Sequence, residues 1–76
     1  MASKLPQLTA KELIRILEKI GFQVSRQSGS HVFMKHEDGR TTTVPDHLGE
    51  KLDRGLLNKI IKHDIQISRE EFEELL

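Results

Sequence analysis

Apolar residues near the start of the chain recur with the period of a helix. They share one helix face: Leu13, Ile16, Leu17 and Ile20. Thr9 stands before this run with Glu12 three residues later, the spacing of a capping box, in which hydroxyl and carboxylate each accept a hydrogen bond from a backbone N–H. Gly21 suits the left-handed residue that follows a helix. The pattern predicts an amphipathic helix that opens at Thr9 and closes at Gly21.

After this helix the pattern changes to that of strands and turns. Phe22 and Val24 alternate with polar residues, and Ser28-Gly29 indicates a turn. Asp38-Gly39 is the strongest short signal for a hairpin, and the residues after it are β-branched. The sequence therefore predicts three consecutive strands. They are Phe22 to Gln27, Ser30 to His36, and Thr41 to Val44, the last stopped by Pro45.

The hairpin signal also predicts how the second and third strands pair. If Asp38-Gly39 forms a two-residue turn, Lys35 faces Thr42 and Phe33 faces Val44. One face of the middle strand carries His31, Phe33 and Lys35, and the other carries Val32 and Met34. Both faces contain apolar residues, so alternation alone leaves open which face is buried.

Two further helices complete the predicted fold. The second has an apolar side made of Leu56, Leu57, Ile60 and Ile61. It follows a loop and ends near Asp64. Ser68 with Glu71 three residues later repeats the capping-box spacing and predicts a short helix through Leu75. Helices on one face of a three-stranded antiparallel sheet make an α+β domain, which we expect to span residues 1–76 as a single unit.

Length and composition narrow the classes of protein. The chain has 76 residues, 36% hydrophobic and 32% charged, which is typical of a globular domain rather than a disordered segment. It has no cysteine, which excludes disulfides, thiolate metal sites and a cysteine nucleophile. No apolar run approaches the ~20 residues of a membrane span. Residues 1–4 lead into no signal-peptide core, so we expect a cytoplasmic protein.

Charge is unevenly distributed along a chain whose formal net charge is zero. Residues 69–76 hold one arginine and four glutamates, a net charge of −3, which leaves +3 for the rest. Residues 21–36 contain no acidic side chain. A mildly basic body with an acidic end is compatible with an anionic ligand.

The sequence contains four histidines but no pattern that indicates a metal or a cofactor. His31 and His36 are five residues apart on one strand, so they point to opposite faces. Ser28 and Ser30 lie beside His31, but neighbours on a strand point apart and no orienting acid is obvious, so a serine nucleophile is not favoured. The sequence contains neither of the glycine-rich phosphate-binding motifs, that of the P-loop or that of dinucleotide-binding domains.

Taken in order, the motifs resemble the HicA family, small toxins of toxin–antitoxin pairs. The likeness lies in these segments: Lys19-Ile20-Gly21-Phe22, Arg26-Gln27-Ser28-Gly29-Ser30-His31, Asp38-Gly39-Arg40, Thr43-Val44-Pro45, His47, and Gly55-Leu56-Leu57 with Ile60-Ile61. The resemblance implies a double-stranded-RNA-binding-domain-like α-β-β-β-α fold. It also implies an mRNA interferase, an RNA-cleaving toxin that arrests growth and is neutralised by a HicB-type antitoxin bound to it in a hetero-oligomer.

The resemblance identifies His31, in the Gly-Ser-His motif, as the expected catalytic residue. We expect it to act without a metal, as the general base that deprotonates a 2′-hydroxyl of mRNA. The expected RNA-binding residues are Arg26, Gly29, Ser30, Lys35, Arg40 and Thr42. Lys35 and Thr42 are expected on the His31 face.

Two features of this sequence depart from the family pattern. The net charge is zero, and positions 32 and 33 are Val and Phe where polar or basic residues are frequent. Phe33 could stack on an exposed base, but we favour a core position for it. The alternative functions are a non-catalytic RNA-binding module of the same fold and a protein-interaction domain that uses the acidic terminal helix.

Overall fold

The computed structural model describes residues 6–76 and shows the predicted order of elements. Residues 1–4, on which the expected absence of a signal peptide rests, lie outside the described residues. The fold is α+β, with a three-stranded antiparallel sheet as in the double-stranded-RNA-binding domain. The elements are α1 Ala10–Lys19, β1 Gln23–Ser28, β2 His31–Lys35, β3 Thr41–Pro45, α2 Arg54–Lys59, a π-helical segment Ile60–Ile65, and α3 Arg69–Glu74.

Both ends of α1 follow from local sequence, as predicted. The Thr9 hydroxyl accepts a hydrogen bond from the Glu12 backbone N–H at 3.2 Å. The Glu12 carboxylate accepts one from the Thr9 backbone N–H at 2.8 Å. At the other end Gly21 has a φ of +101°, and the Phe22 N–H donates to the Leu17 carbonyl at 3.0 Å. These bonds form a capping box and a Schellman closure, which fix where the helix begins and ends.

The sheet has the order β1-β2-β3, so β2 is the central strand. In the β1–β2 hairpin Ser28 lies opposite His31 and Arg26 lies opposite Phe33. The register shifts between Val24 and Arg26, which marks a β-bulge in β1. All six residues of β1 are exposed, as expected of an edge strand without a covering element.

The predicted register of the β2–β3 hairpin is wrong by one residue. Lys35 lies opposite Thr41 rather than Thr42, and Phe33 lies opposite Thr43. Because side chains alternate along a strand, this shift sends Thr42 to the face opposite Lys35. The expectation that Thr42 shares the His31 face is therefore also wrong.

The loop between β2 and β3 explains the shift. It contains three residues, 37–39, because the His36 N–H donates to the Arg40 carbonyl at 2.9 Å and closes the ladder there. Gly39 has a φ of +101° and donates its N–H to the His36 carbonyl. The Asp38 carboxylate accepts hydrogen bonds from the backbone and side chain of Arg40. A three-residue hairpin loop of this kind favours glycine in its last position, because that residue has a positive φ.

One face of the sheet is buried and the other is open. Val32 and Met34 of β2 and Val44 of β3 are buried, and this face packs against α1 and the π-helical segment. Together with residues from the helices they form one core cluster. It comprises Leu8, Ala10, Leu13, Ile16, Leu17, Phe22, Val32, Met34, Val44, Leu52, Leu57, Ile60, Ile61, Ile65 and Phe72. Phe33 lies on the open face and is half-buried, so the core position favoured for it is wrong.

The second helical region differs from prediction in its last turns. It starts after Asp53, whose carboxylate accepts the Leu56 N–H, and it widens into a π-helix at Ile60. It ends at Ile65, one residue beyond the predicted Asp64. The predicted capping box of the final helix is present at Ser68. Within residues 6–76 no helix combines the length and apolarity that crossing a bilayer requires.

Candidate active site on the open sheet face

The open face is the side of the sheet that carries the candidate catalytic histidine. We define it by the side chains of Ser28, Arg26, His31, Phe33, Lys35, Thr41, Thr43 and Pro45. None of the three strands contains an aspartate or glutamate, while they supply Arg26, His31 and Lys35. In a chain of zero net charge, this face is therefore locally suited to an anion.

His31 is the first residue of β2 and its side chain is exposed. It lies opposite Ser28 on one side and Pro45 on the other. Its ring makes no hydrogen bond or ion pair with any residue of the described part of the chain, 6–76. Both ring nitrogens therefore remain available to a ligand that approaches the open face.

The turn before His31 holds the imidazole at the end of the sheet. Gly29 has a φ of +58°, whereas Ser30 has no positive φ, which corresponds to the type II′ turn of a two-residue hairpin. A Cβ at Gly29 would meet nothing within 4 Å, so the turn is open to solvent. The Ser30 carbonyl accepts the Asp46 N–H at 2.6 Å, which ties the turn to the loop after β3.

Arg26 and Phe33 form a pair in the middle of the open face. The Arg26 guanidinium lies 4.5 Å from the centroid of the Phe33 ring, in the range of a cation–π contact. The bulge in β1 and the register with β2 bring the two side chains together. The pair offers a flat, positively charged surface between the two ends of β2.

Lys35 stands at the far end of the open face from His31. The two residues are four apart on β2, which is about 13 Å along a strand. The side chain of Lys35 is exposed. It shares the face with His31, as predicted, but the two side chains meet different parts of any extended ligand.

Two expected RNA-binding residues lie away from the open face. The Thr42 side chain is 5% exposed, and its hydroxyl donates to the Asp64 carboxylate at 2.9 Å. The Arg40 guanidinium donates to the Asp38 carboxylate and to the Ile65 carbonyl, and it lies 5.2 Å from the centroid of the Phe22 ring. Their polar groups join the helices to the hairpin, so the structure gives them a packing role.

The loop after β3 brings a second histidine to the same end of the sheet. The Asp46–Ser30 hydrogen bond extends the β2–β3 ladder by one residue, and His47 comes next. Its side chain is exposed. From the sequence, His47 is named only among the segments that carry the resemblance, and the signal that could have located it is its position two residues after the strand-ending Pro45.

Metal ligands do not converge anywhere in residues 6–76. No group of three or more His, Asp or Glu side chains there lies close enough to hold an ion. His36 is occupied by hydrogen bonds in the fold, and His63 lies on the π-helical segment.

Comparison with known proteins places the chain in a family. A family model described as the HicA toxin of bacterial toxin–antitoxin systems matches residues 10–64, well over half of the chain. The matched region runs from α1 to the π-helical segment and includes the whole sheet, while α3 lies beyond it. No curated protein matches the chain significantly. The chain belongs to the HicA toxin family of toxin–antitoxin systems.

Proposed function

We propose that this toxin is a metal-independent endoribonuclease that cleaves mRNA with His31 as its general base. The observation that carries the proposal is an exposed imidazole, without a partner in residues 6–76, on a sheet face whose strands contain no acid. A histidine kept for packing would be buried or hydrogen-bonded. An exposed one beside cationic residues is suited to work on a phosphodiester.

The reaction needs little more than a proton acceptor, because RNA supplies its own nucleophile. His31 removes the proton of a 2′-hydroxyl, and the oxygen attacks the adjacent phosphorus. The bond to the 5′-oxygen breaks and leaves a 2′,3′-cyclic phosphate. General base catalysis contributes about 10²–10⁴-fold to the rate, which makes a modest enzyme, adequate for slowing growth.

The open face fits a single strand of RNA better than a duplex. The Arg26–Phe33 pair provides a platform on which an exposed base can stack. Lys35, about 13 Å from His31 along β2, is placed to contact a phosphate other than the one that is cut. Because the turn at Gly29 and Ser30 is open, the sugar-phosphate backbone of the RNA can approach close to His31.

The antitoxin partner that the family implies has a simple way to block this site. We propose that a HicB-type antitoxin covers the open face, so that RNA cannot reach His31. The same hetero-oligomer would stabilise a domain with a small core. The cytoplasm is where the toxin would meet both mRNA and antitoxin.

A cleavage assay with matched histidine variants tests the function. The purified protein is incubated with single-stranded RNA in EDTA, and the products are resolved by length. We expect cleavage by the wild type and by His63→Ala, whose histidine is exposed on the π-helical segment. His31→Ala should lose at least about 10²-fold in rate while melting at the wild-type temperature.

Two other outcomes would point to the alternative functions. RNA that is bound but not cut by the wild type, with or without added Mg²⁺, would indicate a non-catalytic RNA-binding module. A protein that neither binds nor cuts RNA would indicate a protein-interaction domain that uses the acidic α3.

A further inference from the structure

The outer side of the second helical region carries positive charge and no negative charge. Residues 54–63 contain Arg54, Lys59 and Lys62 but no aspartate or glutamate. These three residues are exposed, as is Asn58 between them. The buried apolar residues of the same stretch belong to the core cluster, so the charged side chains face solvent. We call the surface formed by these four polar residues the basic helix face.

The four residues follow one side of the helical region. Arg54, Asn58 and Lys62 are spaced four residues apart, which is about 12 Å from first to last. Lys59 lies three residues before Lys62, so the two are neighbours on the helix surface. Arg54 has a contact within the described chain, but neither lysine side chain makes a hydrogen bond or ion pair within residues 6–76. Their ammonium groups therefore remain available to an external anion.

The other two helices carry charges of both signs on their exposed sides. α1 has Glu12 and Glu18 among its cations. In α3 the Arg69 guanidinium lies 3.4 Å from the Glu73 carboxylate. Interspersed signs of this kind are typical of a solvent-exposed helix. The basic helix face departs from that pattern.

Helix stability does not account for this departure. The helix dipole favours a cation in the last turn, such as Lys62, and an acid in the first turn, as Glu70 and Glu71 supply in α3. The first turn of α2 contains no acid and begins with Arg54. In addition, the like charges of Lys59 and Lys62 repel each other at their spacing. Local rules are broken in this way most often where a surface has a function.

The basic helix face starts at the His31 end of the sheet but belongs to the opposite layer. Pro45 lies opposite His31 in the edge strand β3, and it lines one recess together with Leu56 of α2. From there the π-helical segment packs against the buried face of β3. The recess itself carries both signs of charge, so the excess of positive charge begins beyond it. An RNA strand that leaves the open face over the edge of β3 meets the basic helix face next.

We propose that the basic helix face is a second contact surface for the sugar-phosphate backbone of RNA, which rests on RNA being the substrate of this protein. Lys59 and Lys62 each neutralise one phosphate of the strand outside the stretch that lies on the open face. Contacts to phosphate carry no base information, so this surface adds affinity without sequence preference. It gives a chain of zero net charge a means to hold long RNA.

Phosphates fit the basic helix face better than an acidic protein segment does. No large apolar side chain of residues 54–63 is exposed. Protein–protein interfaces, in contrast, have an apolar core from which charged residues are depleted. Lysine and arginine are the usual partners of phosphate oxygens, and these contacts need no apolar surroundings.

The salt dependence of binding to long and short RNA tests the proposal. The short RNA covers only the open face around a mapped cleavage site, and the long RNA has the same site with unstructured flanks. A His31→Ala background keeps the RNA intact. Lys59→Gln/Lys62→Gln removes both charges and retains residues that favour helix. Lys11→Gln/Arg15→Gln is the matched control, because it removes two exposed charges from α1.

We expect Lys59→Gln/Lys62→Gln to bind the long RNA more weakly than the parent. The slope of log Kd against log salt should be smaller by about 1.4, because two single-strand phosphate contacts are lost. Its Kd and slope on the short RNA should equal those of the parent, and the α1 control should keep the parent slope on both RNAs. With His31 restored, the double lysine variant should have a higher KM for long RNA, an unchanged kcat and a melting temperature no lower than wild type.

The remaining outcomes contradict the proposal in distinct ways. An unchanged slope on long RNA would refute it and leave an acidic protein segment as the partner of the face. An equal loss in the α1 control, or on the short RNA, would refute it too, because net charge or the open face would then carry the effect. A wild type that binds long RNA without cutting it would refute the catalytic role of His31, while the change in slope still decides the role of Lys59 and Lys62. A wild type that binds no RNA would refute both.

Discussion

His31 begins β2 and His36 directly follows its last residue, but the two side chains have different surroundings. The His36 ring accepts the Asp38 N–H, reaches the Ile20 carbonyl and packs edge-on against Phe22 at 5.1 Å. The His31 ring has no such partner in residues 6–76. His36 joins the end of α1 to the β2–β3 hairpin, whereas His31 is held at the open face by backbone alone. The contrast separates a histidine that the fold uses from one whose ring is unengaged in residues 6–76 and to which we assign the proposed chemistry.

The largest expected effects come from exchanging each histidine for alanine. His31→Ala should leave the melting temperature unchanged and relieve the growth arrest caused by expressing the toxin without antitoxin. His36→Ala should cost about 2 kcal/mol of stability through the lost bond to Ile20, which is roughly 8–16 °C for a domain of this size. Thermal melts and growth curves of the two variants check the pair. A destabilised His31→Ala, or a stable but inactive His36→Ala, would reverse the comparison.

The glycines beside the two histidines extend the comparison. Gly21 has a φ of +101°, and a Cβ there would come within 2.8 Å of His36 Nε2. Gly29 has a φ of +58° with nothing near it. Gly29→Ala should therefore cost only the backbone term of about 1–2 kcal/mol. Gly21→Ala should cost more, because it also displaces the ring.

Urea unfolding of the two glycine variants measures this difference. Equal losses would mean that His36 moves aside without penalty, and the packing role given to it would then be too large.

A smaller effect is expected from neighbouring threonines on opposite faces of β3. Thr42→Val removes the buried hydroxyl that donates to Asp64 and should cost about 1 kcal/mol. Thr41→Val, at an exposed position of the same strand, should cost almost nothing. Thr42→Val should not change the cleavage rate. A Thr42→Val protein that is fully stable but weak in RNA binding would restore the role first expected of Thr42.

The smallest effect concerns the acid side of the stability curve. The pKa of the Asp38 carboxyl lies below its ordinary value of 3.8, mainly because the carboxylate accepts a hydrogen bond from the Arg40 backbone N–H. The hydrogen bond from the Arg40 side chain lowers this pKa further. Because the carboxylate has a lower pKa in the folded protein, its charge stabilises the fold at pH values above its ordinary pKa. This stabilisation is lost as the pH falls through the pKa of the folded state. Asp38→Asn should flatten the decline in melting temperature below about pH 4. An unchanged decline would show that the loop does not depend on this charge.

The sequence predicts the helices well because their ends are determined locally. The capping boxes at Thr9 and Ser68 and the Gly21 closure need only residues within one turn. The π-helical widening at Ile60 leaves no such signal, since its apolar spacing also fits an α-helix.

The sheet was predicted less completely because its details depend on one turn. Asp38-Gly39 was interpreted as a two-residue hairpin, but the Asp38 carboxylate binds Arg40 and makes Glu37 part of the loop. That single residue moved Thr42 into the interior. The position of Phe33 was missed for a different reason, because its contact with Arg26 arises from pairing with an edge strand that contains a bulge.

The candidate site was predicted in part. His31, Gly29 and Ser30 lie together at one hairpin, and Arg26 and Lys35 share the open face with His31. Arg40 does not lie on the open face, because its guanidinium donates a hydrogen bond to the Ile65 carbonyl. The sequence does not reveal this bond, because it depends on the packing of a helical segment 25 residues further along the chain. The link between the loop after β3 and the turn before His31 was not predicted, because it depends on the hydrogen bond from the Asp46 N–H to the Ser30 carbonyl.

The most direct test of the central claim is the fate of an RNA with one 2′-deoxy nucleotide at a mapped cleavage site. If His31 activates the 2′-hydroxyl, wild-type protein in EDTA leaves that bond intact and still cuts other sites to 2′,3′-cyclic phosphate ends. Cleavage of the deoxy-substituted bond at the ordinary rate would contradict the account, because the nucleophile would then come from elsewhere.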